Sequence, residues 1–152
     1  MSLAPKCFIS YSHDNEDHKE WVLNLASRLV ENGVNVILDQ WNLSLGGDLP
    51  SFMEGGLTEV DRVICICSKI YVAKANTDSG GVVYEKIILT AELMHNMNSK
   101  KIIPLIKSNN EPKVTPIFLQ TKRYIDFRNE TEYEKSYSEL IKEIHGESIK
   151  AR

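Results

Sequence analysis

Short apolar runs alternate with amphipathic stretches along the whole chain. Cys7-Phe8-Ile9-Ser10-Tyr11 is apolar and β-prone, and the polar Ser12-His13-Asp14-Asn15 behind it suits a helix start. Trp21, Val22, Leu25, Ala26 and Leu29 then recur at helical spacing. They predict a helix over about residues 16 to 32 that stops at Asn32-Gly33, where glycine can take the left-handed cap. A second strand, Val34 to Leu38, runs into a polar loop that carries Trp41 and Gly46-Gly47. Leu49-Pro50-Ser51-Phe52-Met53 then opens a short helix with proline in its first turn.

Val63 to Cys67 is an unbroken apolar run, as expected of a strand covered on both faces. A helix is predicted from near Gly81 to about Asn98, with Val83, Ile87, Ala91 and Met94 as its buried seam. Ile102 to Ile106 reads as a fourth strand, and Pro104 within it predicts that the strand stops pairing early or lies near an edge. Tyr124 to Phe127 is a short fifth strand, and Tyr133 to His145 a last amphipathic helix. Strands separated by single helices predict an α/β fold. The expected form is a flavodoxin-like five-stranded parallel sheet with helices on both faces and the second strand on one edge. Residues 1–152 read as a single domain, with no internal repeat or low-complexity tract.

Composition adds mainly exclusions. With 152 residues, 42% of them hydrophobic, the chain can bury an adequate core. A net charge of -3, with no Lys/Arg run interleaved with aromatics, gives no field for phosphate backbones, so nucleic acid is not an expected partner. No apolar run approaches the roughly 18 residues that cross a bilayer, and the first residues are too short and polar for a signal peptide. A cytoplasmic protein without a membrane partner is expected. Cys65 and Cys67 project from one face of a strand, a spacing that rarely forms a disulfide, and no second Cys/His cluster completes a metal site. Buried thiols in a reducing compartment are the expectation.

Ligands of doubly wound sheets bind beyond the carboxyl ends of the strands. That rule selects Tyr11 to Asp14, Asp39 to Gly47, Ser68 and Lys69, and the stretch from Asn76 to Glu85. Cys67-Ser68-Lys69 lacks the aspartate of a phosphorylated receiver. Ser10-Tyr11-Ser12-His13 is no dinucleotide-binding glycine motif, and Gly46-Gly47 is followed by no Lys-Ser/Thr of a Walker loop. His13 and His18 flank the helix start with no nucleophile paired to them, and Ser10 and Ser12 lack an identifiable His/Asp partner for serine hydrolysis.

Phe8-Ile9-Ser10-Tyr11-Ser12-His13-Asp14 resembles the first box of the TIR superfamily, most closely its SEFIR branch. Leu38-Asp39-Gln40-Trp41-Asn42-Leu43 with Gly46-Gly47-Asp48-Leu49-Pro50 resembles that family's second strand and following BB-type loop. The likeness extends over nearly the whole chain. It implies a flavodoxin-like fold and homotypic association in signalling, here in bacterial defence or stress, with partners that are other SEFIR/TIR domains or copies of the chain itself. For association it points to Lys19 and Arg28 on the first helix and to Trp41, Leu43, Gly46, Gly47 and Asp48 of the loop.

In many bacterial and some animal TIR relatives the resemblance also implies cleavage of NAD at the nicotinamide bond, NAD being substrate and not cofactor. Glu85 matches the catalytic glutamate of those enzymes. The tryptophan common four residues earlier falls on Gly81, a departure that removes a stacking wall. The substrate-lining residues in that reading are Phe8, Ser10, Tyr11, Asp39, Trp41 and Tyr84. An NAD glycohydrolase or cyclase activated by self-association is therefore the alternative to a pure signalling module.

Overall fold

The computed structural model describes residues 4–42, 60–75, 102–107 and 123–146. In chain order its elements are β1 (Lys6–Ser10), α1 (Glu16–Glu31), β2 (Asn35–Ile37), α2 (Asp39–Asn42), β3 (Arg62–Cys67) and α3 (Lys69–Ala75). They are followed by β4 (Ile102–Ile106), β5 (Ile125–Asp126), a 3-10 turn at Glu130–Glu132 and α4 (Tyr133–His145). All pairings are parallel, and the five strands lie in the order β2-β1-β3-β4-β5, with β2 on one edge as its place in the sequence predicted.

Strand periodicity of two divides the core into two layers. Cys7, Ile9, Ile64, Ile66, Ile103 and Leu105 face α1 and α4, where Val22, Leu25, Leu29, Leu140 and Ile144 close over them. Phe8, Val63, Cys65, Cys67, Ile102 and Ile106 face the other way and pack with Tyr71 and Val72 of α3. Helices therefore cover both faces of the α/β sheet. The three cysteines are buried free thiols on these strands, Cys65 and Cys67 on the same face. Burial pushes the Cys7 thiol up to about 12.

Local chemistry explains the helix ends. The Asn15 side chain accepts from the His18 amide at 2.8 Å, capping α1. At the other end Gly33 adopts φ +87°. Its amide bonds Val30 O while the Val34 amide bonds Leu29 O, the paired closure of a Schellman motif.

Three elements differ from the sequence reading. Residues 39–42, expected as loop, form one helical turn, closed by the Trp41 amide on Leu38 O at 3.0 Å. The helix α3 was not expected at all. Ser68 caps it, its hydroxyl accepting from the Tyr71 amide at 3.1 Å. Pro104 does not stop β4 early, because pairing with β3 continues to Ile106. β5 begins to pair only at Leu105, so the proline lies where the outer side of β4 has no partner strand among the described residues.

Candidate functional site at the carboxyl edge of the sheet

The carboxyl ends of β1, β2 and β3 meet in a network of hydroxyls, carboxylates and imidazoles. Asp39 is its centre. Buried Leu38 anchors the chain directly before it, and the helical turn of α2 directs the carboxylate back toward the loop after β1. Tyr11 donates its hydroxyl to Asp39 Oδ1 at 2.7 Å, and His13 Nε2 meets Asp39 Oδ2 at 2.7 Å. Burial alone would raise the Asp39 carboxyl, but the hydrogen bonds from His13 and Tyr11 outweigh it and hold the group below the usual carboxylate range.

The next residue, Gln40, donates to Tyr11 Oη at 2.8 Å and to the backbone oxygen of Lys19 at 3.3 Å. Two consecutive side chains thus tie α2 to the β1 end and to α1. The His13 ring lies 4.9 Å from that of Tyr11, centre to centre. Trp41 follows, and its side chain remains 44% exposed.

Beneath this rim lies a buried polar layer. Ser10 Oγ and Tyr71 Oη are 2.9 Å apart, joining the end of β1 to α3. Ser12 Oγ lies 3.4 Å from Ser68 Oγ, across the β1–β3 junction where the strand order reverses, and it also donates to Asp14. His18 is buried on the first turn of α1, and its Nε2 stands 3.9 Å from Asp14 Oδ2 without a hydrogen bond. Burial lowers the His18 pKa, and the Asp14 carboxylate only partly opposes the shift. Lys107, at the end of β4, is lowered by burial against the pull of Glu130 and Asp14, and its Nζ sits 5.0 Å from the centre of the Trp21 ring.

The network brings together four of the residues singled out in the sequence. Ser10, Tyr11, Asp39 and Trp41 share this edge, with Tyr11 and Asp39 in direct contact. Phe8 faces the core instead, 1% exposed among Val63, Cys65 and Tyr71. Glu85, Tyr84, Gly81, Leu43, Gly46, Gly47 and Asp48 lie outside the described residues.

Lys19 is half-buried on α1, its Nζ 3.7 Å from Glu16. Arg28 belongs to a different neighbourhood: both its terminal nitrogens bond the Glu134 carboxylate, at 2.8 and 2.6 Å, and its guanidinium carbon stands 3.9 Å over the Tyr137 ring. Of the network's other members, Ser12, His13, Gln40 and Ser68 fall within the strand-end segments that the ligand-binding rule selected, without a role given to any of them, and only Tyr71 was missed altogether.

Among the described residues no cluster of three or more His, Cys, Asp and Glu could hold a metal ion, and no helix is long and apolar enough to cross a membrane.

Comparison with known proteins gives a consistent picture. The family model described as TIR domain matches residues 7–141. A crystal structure of a prokaryotic SEFIR domain is similar at 41% identity and a TM-score of 0.78, with 92% of each chain covered. More distant likenesses show the fold alone. The TIR domains of the activated Roq1 resistosome share 16% identity at a TM-score of 0.65, over 92% of this chain and 99% of that one. The TIR domain of the Toll-related receptor TRR-2 from Hydra magnipapillata shares 18% at 0.59, over 91% and 97%. No curated protein matches the chain. With most of its length under the family model and a 41% identical relative spanning 92% of it, the chain belongs to the TIR domain family, in its prokaryotic SEFIR branch.

Proposed function

We propose that the domain works by homotypic association, with copies of itself or with other SEFIR/TIR domains, and relays a signal in bacterial defence or stress. The observation that carries this reading is Trp41. An indole left 44% exposed is unusual for so large an apolar group, and here the segment bearing it is tied down through Asp39 and Gln40. A fixed, exposed aromatic with a polar rim is the composition of an interface centre. Half-buried Lys19, whose backbone oxygen receives Gln40, puts charge on the helix to which the Trp41 segment is tied. Three buried free thiols suit a reducing cytoplasm.

Sedimentation velocity over a concentration series tests the reading. Wild-type protein is expected to show weak, concentration-dependent association, which Trp41→Ala abolishes while its unfolding midpoint stays put. A wild type that remains monomeric at the highest attainable concentration overturns it.

The second reading is cleavage of NAD, with Glu85 as the catalytic carboxylate. It is favoured by the Tyr11, His13 and Asp39 network, which occupies the edge where doubly wound sheets take ligands. Departure of nicotinamide leaves an oxocarbenium-like ribosyl centre, which a carboxylate stabilises electrostatically. Clustered wild-type protein is expected to release free nicotinamide, and Glu85→Gln to release none while associating normally. Equal, background release from both removes this reading and leaves association standing.

A further inference from the structure

The Asp39 carboxylate has only acceptors to offer, and both oxygens are engaged. Tyr11 supplies a hydroxyl hydrogen to Oδ1 at 2.7 Å. The oxygen that meets His13 Nε2 at 2.7 Å therefore requires that this nitrogen carry a hydrogen. In the neutral ring Nδ1 then holds the lone pair. Nδ1 makes no hydrogen bond among the described residues, and the His13 side chain is 50% exposed at the carboxyl edge. Ring orientation is fixed as well, by Asp39 at one nitrogen and by the Tyr11 ring 4.9 Å away.

Tyr11 is in turn held by Gln40. A half-exposed ring with one nitrogen bound to a carboxylate and the other without a hydrogen bond among the described residues is a base already in its working tautomer.

We propose that His13 is the proton acceptor of this site, with Nδ1 as the accepting atom and Asp39 as its positioning residue. The proposal rests on the NAD-cleaving reading. As the bond from the ribosyl carbon to the pyridinium nitrogen breaks, its electron pair leaves with nicotinamide, which becomes neutral. The oxygen of water forms the new bond to that carbon, and the proton it loses passes to His13 Nδ1. ADP-ribose and nicotinamide are the products, and the proton goes on to solvent. The imidazolium formed in between faces Asp39, so a hydrogen bond from a neutral ring to a carboxylate becomes an ion pair as the reaction proceeds. It is stronger in the transition state than in the resting site.

The test uses the full chain under forced clustering, with NAD as the probe and free nicotinamide as the readout. His13→Ala is expected to lower kcat about 100-fold with little change in KM. Added imidazole should restore part of the rate, an effect that loss of packing does not produce. Nitrogen shifts of histidine-labelled wild type should report hydrogen on Nε2 of His13. In Asp39→Asn an amide can accept from only one of the two donors, so the His13 hydrogen should move to Nδ1. Full activity in His13→Ala, a loss that imidazole does not rescue, or a wild-type ring with hydrogen on Nδ1 each overturns the proposal while the NAD reading survives. A wild type that releases no nicotinamide removes both.

Discussion

Two charged contacts of similar length hold this molecule together in different ways. Arg28 on α1 grips Glu134 on α4 through two hydrogen bonds, and its guanidinium lies over Tyr137 and within 5.8 Å of the Tyr133 ring centre. Those two rings are parallel, 6.3 Å apart. Both Glu134 oxygens are spent, the Arg28 fork is filled, and the faces around it are aromatic. At the carboxyl edge, Asp39 also spends both oxygens, but its partner His13 keeps one nitrogen free of hydrogen bonds among the described residues, and Trp41 beside it stays exposed. A contact that uses both terminal nitrogens of one partner and both oxygens of the other braces two helices. One that leaves a half-exposed imidazole and an exposed indole, at the edge where such sheets take ligands, is built to meet something else.

The largest expected effect lies in the brace. Tyr137 is 4% exposed, donates to Arg28 O at 3.1 Å and accepts from Asn32 Nδ2 at 2.9 Å, so it closes the end of α1 onto α4. Tyr137→Ala opens a cavity under Arg28 and is expected to cost about 3 to 5 kcal/mol, read from urea unfolding. The folded fraction should keep the His13 tautomer and the Trp41-dependent association unchanged. If the carboxyl edge changes with the brace, the two regions are one unit and the comparison fails. The same geometry bears on charge reversal. Arg28→Glu would set a carboxylate against Glu134 and over Tyr137, so lost association in that variant counts as an interface effect only once its stability has been measured.

What residue patterns revealed, and what they missed, follows the range of the interactions. The strand Arg62–Cys67 was legible because burial on both faces demands an unbroken apolar run, and the end of α1 because Asn32-Gly33 carries its own closure. The helix α3 was not, because Ile70, Tyr71 and Val72 read as strand-prone and the cap that decides it is a single serine. Asp39 and His13 are 26 residues apart and Arg28 and Glu134 are 106 apart, so no spacing rule joins either pair. Strand order joins the first and helix packing the second. The exposure of Trp41 comes from the turn of α2, which Asp39 and Gln40 hold in place, and no residue pattern announces that turn.

The smallest effect, and the one that separates the regions by pH alone, concerns His18. It is 4% exposed, and it is faced by Asp14 from the preceding loop, by Lys107 from the end of β4 and by His13. Burial holds its folded pKa below the ordinary 6.5. As pH falls through that value the unfolded chain takes up a proton and the folded chain does not, so the unfolded state binds more protons and stability declines toward acid. The decline begins near the unfolded value and ends at the folded one. Asp39 acts in a separate window. Its folded pKa is depressed, so its stabilisation is present above the ordinary carboxylate value of 3.8 and is lost as pH falls through the folded value. The brace carboxylate Glu134 is likewise lowered, from 4.5, and is silent at higher pH. Between about pH 7.5 and about pH 5.5, His18 is therefore, among the described residues, a shifted group that titrates. The wild-type urea midpoint should drop across that interval, His18→Leu should flatten the drop, and Tyr137→Phe in the brace should leave the slope as it was. A His18→Leu protein that keeps the wild-type slope would place the acid sensitivity elsewhere and dissolve this distinction between edge and brace.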